Sequence, residues 1–198
     1  GRNIFLHQRI MVSDSLNIVP KADFIILSLP SEAIINAAKE LAELIKPGQI
    51  IINTATNTFA PEIKHLFQPE NPIISAKIIG HFQSISEAEP PMIVIDPGSE
   101  DYDSEVIRKV AEVFSKIGLI TFGKEETVSK LNSIASEEGI RCAVAIKNRL
   151  REAGIPEGFY SFAVRNVAAG TMKAFAVGEA GPFAEKIIKQ ILSQQQGD

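Results

Sequence analysis

The sequence predicts an α/β fold, with a mainly parallel β-sheet followed by an all-helical region. Residues 24–29 and 49–53 are apolar at successive positions, which is typical of strands buried on both faces of a parallel sheet. The segment between them has the three- and four-residue spacing of an amphipathic helix. No further strand pattern follows residue 124. Hydrophobic residues make up 45% of the 198, enough to bury a core of this kind.

The predicted sheet begins with a strand that is followed by a β-α-β unit at residues 24–53. Residues 3–8 have the length and apolar character of a strand, and the run at 24–29 is the next strand, stopped by Pro30. The helix that follows has one apolar face, formed by Ile34, Ala37, Ala38, Leu41, Leu44 and Ile45. Pro47-Gly48 ends this helix before the strand at 49–53, so we expect a right-handed crossover between the two strands.

The next elements complete the sheet. They are a short helix at 61–67, strands at 73–79, 92–95 and 119–122, and a helix at 104–117. Ser104 can cap the second helix at its N-terminus, and Gly118 can end it before the last strand.

The remaining chain is expected to be helical. The predicted helices lie at about 125–153, 156–177 and 182–193, which gives a sheet domain of residues 1–123 and a helical domain of residues 124–198. The middle helix is apolar nearly all round, and two other helices are too few to enclose it. We therefore expect a homodimer formed through residues 125–178, in which Ala168, Ala169 and Gly170 allow close helix approach.

Composition argues against several classes of partner and location. The 20 Lys and Arg against 24 Asp and Glu give a net charge of -4 with no basic run, so we expect no nucleic acid partner. Cys142 is the only cysteine, which argues against disulfides and favours a reducing cytoplasm. No apolar run approaches the roughly 18 residues of a membrane helix, and residues 1–20 lack a signal pattern. We expect a cytoplasmic protein with no membrane partner.

Four segments together resemble a known family. They are residues 22–30 (ADFIILSLP), 45–53 (IKPGQIIIN), 112–121 (EVFSKIGLIT) and 150–158 (LREAGIPEG). In order and spacing they resemble the pyrroline-5-carboxylate reductases, within the wider 6-phosphogluconate-dehydrogenase-like group. The resemblance covers most of residues 20–180. It implies a Rossmann-like dinucleotide-binding domain, incomplete at its N-terminus, followed by a helical dimerisation and substrate domain.

The chain also departs from that family. The family begins with a strand and a Gly-x-Gly-x-x-Gly turn that holds the cofactor's pyrophosphate, whereas no two of the 13 glycines here are separated by one residue. The family's Ser-Pro-Gly-Gly-x-Thr substrate turn is replaced by residues 185–192, and its Ser-Gly-Ser-Gly-Pro stretch by residues 134–139. Either the glycine-rich segment is missing from this sequence, or nucleotide binding has been lost.

The resemblance places the cofactor where two neighbouring strands end. The candidate residues are Ser28, Leu29, Pro30, Asn53, Thr54 and Ala55. Open α/β sheets bind ligands outside the carboxyl ends of their strands, so the first three could form a wall for nicotinamide and the others could border the same crevice. The alternatives are an ordinary turn in which Ser31 caps the next helix, and a loop of turn-forming residues.

Arg9 is the candidate for cofactor discrimination. It follows the first strand, where the family often places a basic residue against the 2′-phosphate of NADP, a group that suits a guanidinium fork. We therefore expect NADP, with NAD as the other possibility. The alternative is that Arg9 is a solvated surface charge.

His81 and Ser136 are the candidates for binding substrate. His81 follows a strand near the family's cofactor-facing loop and could orient substrate or donate a proton, although a lone histidine is more often an ordinary loop residue. Ser136 keeps the character of the family's serine-glycine stretch. The three histidines, at positions 7, 65 and 81, lack the spacing of a metal site, so no metal is expected. No catalytic residue is identified.

The function implied by the resemblance is that of an NADP-dependent oxidoreductase. Hydride would pass from NADPH to an imine such as 1-pyrroline-5-carboxylate, as in proline biosynthesis. The alternative is a non-catalytic or regulatory dimer that has kept the fold without the family's substrate turn.

Overall fold

The computed structural model describes residues 16–98, 101 and 104–195. The described chain forms two compact units, one ending at Ser133 and the other beginning at Ile134. The strand predicted at 3–8 and the cofactor candidate Arg9 lie outside the described residues.

The first unit contains the predicted sheet. Its strands are β1 (Phe24–Leu27), β2 (Ile50–Asn53), β3 (Ile73–Ile79), β4 (Met92–Asp96) and β5 (Leu119–Phe122). Their order in the sheet follows their order in the sequence. β1, β2 and β3 are parallel, and β5 is parallel to β4. The predicted fold class, a mainly parallel α/β sheet followed by helices, is confirmed.

β4 is antiparallel to β3, a reversal that the strand pattern of the sequence does not indicate. Parallel strands need a crossover connection, usually a helix packed on the sheet. The connection between β3 and β4 contains only the five-residue helix α3 (Phe82–Ser86), which has no buried residue. With no helix to cross the sheet here, the chain turns back beside β3.

Helices cover both faces of the sheet. α1 (Ser31–Ala42) and α2 (Ala60–Lys64) lie on one face, and α4 (Glu105–Phe114) lies on the other. The first face forms a cluster that includes Leu27, Ile34, Ala38, Leu41, Ile51, Ile63 and Ile73. The second forms a cluster that includes Ile52, Ile74, Ile93, Ile95, Ile107, Val110 and Phe114. Both faces of β2 are therefore buried, as its uninterrupted apolar sequence predicted.

The C-terminal helices lie close to their predicted positions. They are α5 (Glu125–Glu152), a 3-10 turn (Glu157–Phe159), α6 (Tyr160–Phe162), a π-helical turn (Ala163–Ala168), α7 (Ala169–Ala176) and α8 (Pro182–Gln195). The middle stretch keeps large apolar side chains exposed, with Phe159 at 61% and Val167 at 67%. No helix in the described ranges is both long and apolar enough to cross a membrane.

Candidate functional site

A row of polar side chains crosses three neighbouring strands of the sheet. Asn53 of β2 pairs in register with Ser75 of β3, and Ser75 pairs with Asp96 of β4. Residues paired across strands point to the same face of a sheet. All three are buried, so each polar group needs an internal partner.

Lys77 extends this row and is fully buried, at 0% exposure. It lies two residues beyond Ser75 on β3 and therefore on the same face. Its ammonium donates hydrogen bonds to the carbonyls of Ala55 and Thr58, the latter at 2.9 Å, and lies 3.2 Å from Glu125 Oε2. Burial lowers the pKa of Lys77 below its ordinary value of 10.5, and the adjacent Glu125 carboxylate opposes that shift.

Glu125, the first residue of α5, supplies the opposite charge. Its Oε2 accepts a hydrogen bond from Ser75 Oγ at 2.5 Å, and its Oε1 accepts the backbone N–H of Ala60 at 2.8 Å. Ala60 begins α2, so the carboxylate also lies at the positive end of that short helix. One backbone N–H, one hydroxyl and one buried cation are thus held by a single side chain.

Asp96 holds the start of α5 in turn. Its Oδ2 accepts the backbone N–H of Glu125 at 3.1 Å, and its Oδ1 accepts that of Gly98 at 3.0 Å. Lys124 Nζ lies 3.4 Å from Oδ1. We call Asn53, Ser75, Lys77, Asp96 and Glu125 the buried polar cluster. It fixes where α5 begins relative to β3 and β4.

The candidates that follow β2 are held mainly by internal hydrogen bonds. Asn53 Nδ2 donates to the Thr58 carbonyl at 2.7 Å, and its Oδ1 accepts the Ala55 N–H at 3.1 Å. Thr54 Oγ1 donates to the Leu27 carbonyl at 3.0 Å and so ties the end of β2 to the end of β1. These side chains shape the connection after β2, and Asn53 and Ala55 are themselves buried.

The candidates that follow β1 are exposed. Ser28, Leu29 and Pro30 connect β1 to α1 and remain open to solvent. Pro30 occupies the N-cap position of α1 without a side-chain cap, and Ser31 is the first residue of the helix, so the alternative role of Ser31 as its N-cap does not hold. Because Leu27 pairs with Asn53, the structure brings these three residues and residues 53–55 to the same edge of the sheet.

The two substrate candidates lie in different units. His81 is exposed and caps α3, where its Nδ1 accepts the N–H of Gln83 at 3.3 Å, and its ring lies 4.6 Å from that of Phe82. Ser136 is exposed on α5 in the second unit. In the part of the chain that the structure describes, no three His, Cys, Asp or Glu side chains are grouped to hold a metal ion. The roles of His81 and Ser136 in binding substrate stay predictions.

Most of the buried polar cluster was missed in the sequence analysis. A usable signal existed in β3, where Lys77 interrupts the apolar run Ile73–Ile79. A charged residue on the buried face of a strand needs a charged or hydrogen-bonding partner. The sequence does not say which carboxylate provides it, because Glu125 lies two strands further along the chain.

The described residues fit part of a nicotinamide dinucleotide. The exposed turn at residues 28–30 offers open backbone beside the end of β2, as a ligand at a strand edge requires. The pyrophosphate needs a close approach of backbone, which glycines normally permit. The turns after β1 and β2 contain no glycine. These two turns therefore offer exposed backbone at residues 28–30 and supply no glycine cradle for phosphate.

Similarity to known proteins was found at the level of structure. No protein-family model and no curated protein matches the sequence. A pyrroline-5-carboxylate reductase from Coxiella burnetii aligns with a TM-score of 0.64 and 14% identity, over 93% of this chain and 73% of that one. A pyrroline carboxylate reductase from Plasmodium falciparum with NADP bound aligns at 0.62 and 10%, over 87% and 64%.

A third solved structure is a semialdehyde dehydrogenase NAD-binding protein from Cupriavidus necator, in complex with calcium and NAD. It aligns with a TM-score of 0.60 and 14% identity, over 91% of this chain and 73% of that one. The chain spans less than two thirds of the length of the Plasmodium protein. At these identities the likeness concerns the fold, and this chain has the fold of the pyrroline-5-carboxylate reductases and related NAD(P)-binding dehydrogenases.

Proposed function

We propose that the protein is a nicotinamide-dependent oxidoreductase that binds its cofactor where β1 and β2 end. The observation that carries this proposal is the position of the exposed turn at residues 28–30 beside residues 53–55, at one edge of parallel strands. This is where open α/β sheets bind ligands. The shared fold with reductases, one of them with NADP bound, supports the same assignment.

Each candidate has a defined part in this proposal. Ser28, Leu29 and Pro30 form a backbone wall beside the nicotinamide, and the connection after β2 closes the other side of the crevice. The cofactor, when bound, supplies the hydride, while the protein's part is orientation and exclusion of water. We propose NADPH as the donor, with Arg9 near its 2′-phosphate and NADH as the other possibility.

The proposed acceptor is an imine such as 1-pyrroline-5-carboxylate, bound with the help of His81 and Ser136. We further propose that the protein acts in the cytoplasm as a homodimer formed through residues 125–178. The exposed aromatic side chains of that stretch support association, because large apolar patches on a soluble protein mark contact surfaces. Phe159 at 61% and Phe162 at 53% are two of them.

The direct test is titration of the chain with NADPH and NADH, followed by an assay of 1-pyrroline-5-carboxylate reduction. Leu29→Glu places a negative charge in the proposed wall and should weaken cofactor binding about tenfold or more. Val113→Glu is the matched control, because Val113 has a similar exposure, 36% against 39%, but lies in α4. Failure of the intact protein to bind either cofactor would overturn the proposal, and binding without turnover would exclude this substrate.

A non-catalytic dimer is the second candidate. One observation favours it: the side chains of Asn53 and Thr54 are used in internal hydrogen bonds. A stable dimer that binds no nicotinamide cofactor is the result that would support this candidate over the oxidoreductase.

A further inference from the structure

The connection between β2 and α2 is held at both ends by one buried ion pair. Lys77 donates to the carbonyl of Ala55 near its beginning and to that of Thr58 near its end. Glu125 accepts the N–H of Ala60, the first residue after it. The Lys77 ammonium and the Glu125 carboxylate lie 3.2 Å apart, so the contacts at the two ends of the connection are made by one ion pair.

This arrangement restrains the backbone that borders the proposed crevice. Residues 54–59 contain no helix or strand, so their shape depends on side-chain contacts. Asn53, at the end of β2, supplies two further bonds, to Thr58 and Ala55. The ion pair joins this stretch to β3 and to the start of α5 from the buried side, in addition to the bonds from Thr54 Oγ1 to Leu27 and from Ser129 Oγ to Asn57.

Both members of the pair are buried. The side chains of Lys77 and Glu125 are 1% and 4% exposed, and the Lys77 ammonium is engaged by Glu125 and by the carbonyls of Ala55 and Thr58. A buried pair costs desolvation energy and is often no more stabilising than apolar residues of the same size. We therefore expect the pair to contribute to the backbone conformation of the connection between β2 and α2 rather than to net stability.

We propose that Lys77 and Glu125 are positioning residues, which set the shape of residues 54–59 and thereby the affinity of the crevice for the nicotinamide cofactor. The statement about affinity rests on the proposed function. The statement about shape does not rest on it, since it follows from the contacts within the protein alone. The two parts can therefore be tested separately.

The experiment compares Lys77→Met with Val110→Ala in the full chain. Val110 is fully buried in α4 on the opposite face of the sheet, so its truncation destabilises the unit without touching residues 54–59. Amide hydrogen exchange is measured over residues 54–60, and the dissociation constant for NADPH is measured in parallel. In Lys77→Met we expect exchange in this stretch to rise about tenfold above that in Val110→Ala, and the dissociation constant to rise about tenfold.

The outcomes separate the two ideas. Equal exchange in both variants overturns the positioning role, whatever the cofactor does. Faster exchange in Lys77→Met with an unchanged dissociation constant overturns the link to affinity. If the unaltered chain binds no cofactor, the proposed function fails while the exchange comparison still decides the question of shape. Should Lys77→Met not fold, Glu125→Gln removes the charge at nearly constant size and should show the same local effect, smaller in degree.

Discussion

Replacing Lys77 with methionine removes the only buried cation in the described residues and leaves the Glu125 carboxylate without its counter-charge. Loss of one partner from a buried pair typically costs about 3–5 kcal/mol. Glu125 would keep two hydrogen-bond donors, Ser75 Oγ and the Ala60 N–H, and the Thr58 carbonyl would keep Asn53 Nδ2. We therefore expect a loss near the lower limit, about 3 kcal/mol.

A double-mutant cycle in urea measures the coupling. The single variants are Lys77→Met and Glu125→Gln, and the double variant carries both. Because the second change neutralises the stranded carboxylate, the double variant should be more stable than the sum of the single losses predicts, by about 1–3 kcal/mol. Additive losses, within about 0.5 kcal/mol, would refute the view that the two charges interact.

The pH dependence of stability gives an independent readout of the same pair. Since the folded-state pKa of Lys77 is lowered, the folded protein binds fewer protons than the unfolded chain at pH values between that pKa and 10.5. The Lys77 contribution to the free energy of unfolding therefore rises with pH across this interval. The difference between the unaltered protein and Lys77→Met should increase in the same direction, and a flat or falling difference would contradict the assigned cause.

Three further substitutions test other parts of the structure. Gly118→Ala would make a Cβ clash with the Pro91 carbonyl oxygen, so we expect a loss of about 1–3 kcal/mol in urea unfolding, and an unchanged midpoint would contradict this clash. Ser104→Ala removes the N-cap of α4 and should cost about 1 kcal/mol by thermal unfolding, whereas Ser115→Ala at the exposed end of that helix should cost little. Val167→Asp should shift the proposed dimer towards monomer in sedimentation, and a monomeric unaltered chain would argue against the dimer.

The sheet could be predicted because each strand carries its own local signal. An apolar run such as that of β2 is long enough and sufficiently rich in β-branched residues to identify a strand buried on both faces. The direction of β4 could not be predicted in the same way. Strand direction depends on how the connection packs, and α3 is too short and too exposed to cross the sheet.

The candidate site was predicted less completely than the sheet. The turns after β1 and β2 were identified from strand ends, which local pattern reveals. The hydrogen-bond partners of Asn53 and Thr54 could not be identified in this way. Both side chains bond to carbonyl groups whose positions depend on the folded loop and on β1. Lys77 and Glu125 come together only after β3 and α5 have packed, a long-range event with no local signature.

The place of Glu125 in the chain also bears on how the sheet unit is synthesised and isolated. Lys77 leaves the ribosome before Glu125, so the buried ion pair cannot form until the first turn of α5 has emerged. A recombinant fragment ending at residue 123 would contain Lys77 without Glu125. One extended to Ser133 would include Glu125 and also Asn132, whose side chain donates to the Ile78 carbonyl at 2.9 Å. A fragment that keeps the buried ion pair must therefore include the first turns of α5.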